Sequence, residues 1–86
     1  MYVMSYEAVQ EKIEVLAIFK NGTIFPYVFL WKNKKRKIDK VNLAYQERDG
    51  ASINYYYAIE SQGLVAKMRY NDKTLIWELE EVWVDG

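Results

Sequence analysis

Residues 13–31 read IEVLAIFKNGTIFPYVFLW. Two apolar runs, rich in the β-branched and aromatic residues that suit a pleated surface, flank Lys20-Asn21-Gly22-Thr23. Asn-Gly between apolar runs is the strongest short-range hairpin signal, because both central turn positions need a left-handed backbone. The stretch therefore predicts two antiparallel strands, 13–19 and 24–31. Pro26 has no N–H for the ladder, so it belongs at an edge, a strand start or a bulge. The second strand is apolar almost throughout.

The same pattern continues toward the C-terminus. Residues 37–47 (KIDKVNLAYQE) predict a third strand, with a bulge or bend near Asp39-Lys40 where the step from Ile38 to Val41 breaks the two-residue period. A helical reading is weaker there, since the apolar positions alternate from Val41 onward. Arg48-Asp49-Gly50-Ala51 forms the next turn. Residues 52–60 (SINYYYAIE) follow, with Ile53, Tyr55, Tyr57 and Ile59 on one face and Tyr56 on the other. Residues 64–70 (LVAKMRY) alternate strictly. In residues 75–84 (LIWELEEVWV), Leu75, Trp77 and Leu79 share a face before Glu80-Glu81 shifts the register to Val82 and Val84. Six strands with short turns make an antiparallel meander, all-β, which must bend strongly or form a small, partly open barrel to bury one face. Residues 1–11 are ambiguous. Glu7 to Lys12 (EAVQEK) favours a short helix, whereas Tyr2 to Met4 would serve an extra strand.

Eighty-six residues make one small all-β domain, 1–86. Fourteen aromatic residues can supply much of its core, since each large ring buries roughly 150–250 Å². They also crowd it, so some must lie at the surface. Without cysteine there are no disulfides or thiolate metal sites. Without histidine the commonest metal ligand and the usual triad base are missing. No phosphate-binding glycine loop occurs. No cofactor and no metal are expected. No apolar run of about 18 residues exists to span a membrane, and the N-terminus lacks signal-peptide features, so a cytoplasmic protein is expected.

Twelve bases balance twelve acids, which argues against an all-round polyanion binder, but the charges are segregated. Lys32, Lys34, Lys35, Arg36, Lys37 and Lys40 cluster, and Glu78, Glu80, Glu81 and Asp85 make the C-terminal end acidic. Lys32, Lys34, Lys35, Arg36 and Lys37, at a hairpin tip, are candidate phosphate contacts. The same residues would equally keep an exposed turn hydrated and block edge pairing. Glu78 and Glu80 share a face, and alternation puts that face in solvent rather than in a catalytic pocket. Tyr27, Tyr56 and Trp83 are candidates for a partner surface, since an exposed aromatic patch more often marks protein contact than base stacking.

The segments PYVFLW, KID-KV, LAYQER, YYYAIES, GLVAKMRYN and LIWELEEVWV resemble a small uncharacterised bacterial all-β family. The likeness rests on Pro26, Phe29, Trp31, Val41, Tyr57, Leu64, Arg69, Tyr70 and Trp77, and spans residues 12–84. The chain departs from the pattern at Ala44-Tyr45, where a Trp-Arg pair is usual. Members stand alone or sit beside, or attached to, Y-family translesion DNA polymerases. The resemblance thus implies an accessory role in DNA repair. The residues themselves point first to a non-enzymatic protein-interaction or self-association module with a protein partner or a second copy. Weak nucleic-acid binding through residues 32–40 is the alternative.

Overall fold

A computed structural model describes residues 4–85. Seven strands follow one another: β1 (Met4–Lys20), β2 (Thr23–Trp31), β3 (Lys34–Lys37), β4 (Lys40–Asp49), β5 (Ser52–Ser61), β6 (Leu64–Asn71) and β7 (Trp77–Asp85). All pair antiparallel in one sheet of order β3-β2-β1-β7-β6-β5-β4. The two edge strands, β3 and β4, are consecutive in the chain, with only Ile38 and Asp39 between them. The three Cα steps from Lys37 to Lys40 reach at most about 10–11 Å. The sheet must therefore curl until its edges almost meet at one corner, which gives a half-barrel.

The connection locks that corner. Ile38 turns inward, 9% exposed, and its N–H donates to Tyr27 O at 2.9 Å. Asp39 N–H donates to Glu60 O at 2.8 Å, and its carboxylate accepts from Gln62 N–H at 2.9 Å. The Ser61 hydroxyl, fully buried, donates to Lys37 O at 2.7 Å.

β1 is shared by two leaves. Its first part, residues 4–13, pairs with β7 and continues into the main leaf of β7, β6, β5 and β4. Its second part, residues 14–20, pairs with β2, which with β3 completes a small leaf. Within the first part, Gln10 adopts φ 49° where the register to β7 shifts between Ala8 and Glu11. The core lies between the leaves. Phe29, Trp31 and Ile38 come from the small-leaf side; Tyr57, Ile59, Met68, Tyr70, Trp77 and Leu79 come from the main leaf. Val15 and Ala17 of β1 also pack inward.

Several expectations hold in detail. Asn21 and Gly22 take φ 52° and 75°, as a two-residue hairpin turn requires. The β1–β2 register slips beside Pro26, with Tyr27 left without a partner residue on β1. A bulge at Glu80 shifts β7 against β6. Tyr57 is 5% exposed with Tyr55 beside it, and Tyr56 lies half-buried on the other face; the expected alternation fails only at the start of β5, where Ile53 stays outside the core cluster and Ser52 and Asn54 are buried.

Others need correction. Among the described residues there are seven strands, not six, because the predicted third strand breaks at Ile38-Asp39 where the chain crosses between edges. Residues 7–12 are strand rather than helix: they pair with β7, and a tertiary ladder overrides local helix propensity. Of the alternative N-terminal strand, Met4 begins β1, and residues 1–3 lie outside the described residues. Leu75 does not share the face of Trp77; it sits in the turn before β7 at φ 62° and is 67% exposed. That turn is organised by Asn71, whose Oδ1 accepts from Lys73 N–H and Thr74 N–H. The Asn71 amide in turn donates to Asn54 Oδ1 at 2.7 Å and Ser52 Oγ at 3.1 Å.

Candidate functional site

A cleft of about 460 Å³ lies where the half-barrel stays open, between the start of β2 and β4. Ile24, Pro26, Val41, Ala44, Tyr55 and Tyr57 line it, and the lining holds no carboxylate, lysine or arginine. Burial pushes the Tyr57 phenol up to about 12, with the neighbouring Tyr55 adding to the rise. A phenol held in its neutral form beside apolar walls is poorly suited to take a proton near neutral pH. The cleft offers an apolar recess rather than an acid–base pair.

Two carboxylates of the acidic stretch, Glu78 and Glu80, are occupied. Arg69 pairs closely with Glu78 and reaches Glu80 at 3.5 Å, and Lys67 reaches Glu80 at 3.8 Å. These carboxylates thus serve an ion-pair ladder on the outer face of the main leaf. Among the described residues no group of three or more His, Cys, Asp or Glu is placed to hold a metal ion. The same face carries Tyr45 stacked on Tyr56, with centroids 4.9 Å apart and planes 13° off parallel. Lys67 Nζ lies 5.2 Å from the Tyr56 ring centre, and Trp83 is tilted against Tyr6 at 5.3 Å. Two of the three candidate partner aromatics, Tyr56 and Trp83, are therefore half-covered by their own neighbours. Tyr27 stands apart on β2, about half exposed.

The basic residues do not form one patch. The tip is only Lys32-Asn33, both left-handed at φ 52° and 59°, and Lys32 Nζ sits 4.6 Å from the Trp31 ring centre. Lys34 to Lys37 are strand β3, so alternation divides them. Lys34 and Arg36 stand opposite Trp31 and Phe29, on the inward side. Lys35 and Lys37 stand opposite Leu30 and Val28, on the outer side. Arg36 is half-buried; its Nε and the indole Nε1 of Trp31 are buried without a hydrogen-bond partner among the described residues. No described carboxylate lies within ion-pair distance of any base in residues 32–40.

The feature missed by residue-by-residue reading is the outer face of the small leaf. Because Val15 and Ala17 point to the core, Leu16 and Ile18 point away from it, 68% and 51% exposed. Their cross-strand neighbours are Val28 and Phe25, with Leu30 opposite Glu14 and Phe25 half exposed. Five apolar side chains thus form one contiguous patch, bounded by Glu14, Lys20, Lys35 and Lys37. A dip of about 300 Å³ between Leu16, Val28 and Leu30 breaks its surface. The sequence signal was present: a strand apolar on both sides is what a strand buried on both sides looks like. Comparison with protein-family models, curated proteins and solved structures finds no match to this chain. No helix among the described residues is long and apolar enough to cross a membrane.

Proposed function

We infer that the chain is a non-enzymatic interaction module of the cytoplasm whose contact surface is the outer face of the small leaf. One observation carries this reading: β1 and β2 present Leu16, Ile18, Phe25, Val28 and Leu30 together on a face that no other described strand packs against, with Leu16, Ile18 and Phe25 at least half exposed. Contiguous apolar surface of this kind costs free energy in water and is characteristically kept for contact with another molecule. The absence of His and Cys from the sequence and the uncharged lining of the cleft support a binding role over catalysis. A photoactivatable phenylalanine analogue at Phe25 tests the reading in the producing cell. A discrete covalent adduct from Phe25, absent when the analogue replaces Lys73, is the expected result. No adduct from Phe25 overturns it.

A second reading, an accessory domain of DNA repair with weak phosphate contact, is supported by the unpaired bases of residues 32–40 and by the resemblance to a family found beside translesion polymerases. Fluorescence anisotropy with short single- and double-stranded oligonucleotides decides it. Binding at about 50 mM salt that fades as salt rises would support phosphate contact, and none at that salt removes it.

A further inference from the structure

We propose that the partner of this face is a second copy of the chain, packed so that β1 lies antiparallel across β1 of its mate. The proposal rests on the reading of the small leaf's outer face as a contact surface and adds what occupies it.

Along β1 the outward positions are Glu14, Leu16, Ile18 and Lys20. The order is acid, apolar, apolar, base. Turned about a two-fold axis through Ala17, it becomes its own complement: Glu14 meets the Lys20 of the second copy, Leu16 meets Ile18, and each contact occurs twice. A closed dimer demands such self-complementarity of one patch. Neither Glu14 nor Lys20 has an ion-pair partner among the described residues.

The neighbouring strands agree with that axis. On β2, Leu30 is level with Glu14, Val28 with Leu16, and Phe25 with Ile18. The rotation therefore lays Val28 over Phe25 of the mate. On β3, Lys35 and Lys37 stand level with Leu30 and Val28, all toward one end of the face. Rotation carries the mate's lysines to the other end, so like charges do not confront each other. They come instead beside the start of the opposing β2, residues 23–26, which have no β3 partner. Two sheets meeting in this way pack about 10 Å apart with strands roughly 30° from parallel, a gap that Glu and Lys side chains can bridge.

The contact is small. Seven residues of β1 and three strands of width give about 300 Å² of flat face per copy from strand spacings. A standard interface buries about 800 Å² per partner, so the dimer should be weak and concentration-dependent.

Sedimentation velocity on the full chain, from about 5 to 500 µM to bracket a weak small interface, tests the proposal with four proteins. The wild type should shift from monomer to dimer across the range. Glu14→Lys alone and Lys20→Glu alone each replace two attractions by two repulsions, weakening association about tenfold. The double swap, Glu14→Lys with Lys20→Glu, should recover the wild-type behaviour. An equimolar mixture of the two single variants should associate better than either alone. A wild type monomeric throughout, or a double swap no better than the singles, overturns the proposal. If the wild type is monomeric while Phe25 still cross-links to a different protein, only the second-copy assignment fails. If there is also no cross-link, the contact-surface reading fails with it.

Discussion

On the outer face of the main leaf, Arg69 lies between Glu78 and Glu80, Lys67 reaches Glu80, and Tyr45 covers Tyr56. On the outer face of the small leaf, the cross-strand neighbours are Leu16 with Val28 and Ile18 with Phe25, and its bounding charges have no ion-pair partner among the described residues. Both faces belong to one sheet and share β1. The main leaf pairs much of its outer charge within the chain and stacks Tyr45 on Tyr56, while its exposed apolar residues, Tyr6 and Leu43, stand on separate strands rather than in one patch. The small leaf spends both faces of β1 and β2 on apolar side chains, and only one of them finds a core. On the proposed reading, the difference separates a face that finishes the fold from a face left for contact.

The largest expected effect falls on the inner side of the small leaf. Phe29, 1% exposed, anchors β2 to the main leaf. Phe29→Ala should cost about 3–5 kcal/mol, against roughly 4–13 kcal/mol holding a chain of this length. Urea unfolding followed by Trp fluorescence would show the loss as a midpoint shift. A shift below about 1 kcal/mol would mean that the leaves are not coupled through this core.

The next effect comes through pH and belongs to the main leaf's inner side. An unfolded tyrosine releases its proton near 10, whereas burial holds folded Tyr57 protonated up to about 12. The unfolded state therefore binds fewer protons between these values. The Tyr57 contribution to stability is complete below pH 10 and is lost as pH rises through 12. Urea midpoints should fall over that window, and Tyr57→Phe should flatten the fall. An unchanged profile in the variant would assign the alkaline loss elsewhere.

Legibility in the sequence follows how local each cause is. The Asn21-Gly22 hairpin, the slip beside Pro26, the bulge at Glu80 and the inward set Tyr55, Tyr57 and Ile59 all arise from residues adjacent along the chain, and each was readable. The crossing at Ile38-Asp39 was not, since no Gly or Pro marks it. It exists because Ile38 enters a core built by distant strands and because Asp39 binds the backbone of Glu60 and Gln62. The helix-favouring residues 7–12 were overruled by pairing with β7, seventy residues away. For the site, the apolar run of β2 was visible. Its outward half could be recognised as uncovered only once β3 was seen to be four residues of Lys and Arg that screen one edge and no face.

A smaller effect is expected from the main leaf's outer ladder. Arg69→Gln leaves Glu78 and Glu80 without their shared guanidinium. Since the Arg69 side chain is a third exposed, solvent screening limits the loss to about 1 kcal/mol, and added salt should shrink it further. Equal losses at low and high salt would show that packing of the Arg69 stem, not charge, is what the residue supplies.

The smallest stability effect should accompany the largest loss of association, and that inversion is what distinguishes the two outer faces. Leu16 touches no core, so Leu16→Ser should change the urea midpoint by no more than about 0.5 kcal/mol while abolishing self-association at concentrations where the wild type dimerises. Tyr45→Ser on the other outer face should do the reverse. It forfeits the stack on Tyr56, worth about 0.5–1.5 kcal/mol, and leaves association as it was. Measuring midpoint and sedimentation coefficient on the same two variants separates the quantities, because a contact that completes the fold must appear in the first and a contact between molecules only in the second. If Leu16→Ser lowers stability as much as Tyr45→Ser and association is untouched by either, the two outer faces are equivalent and the small leaf is not a surface awaiting a partner.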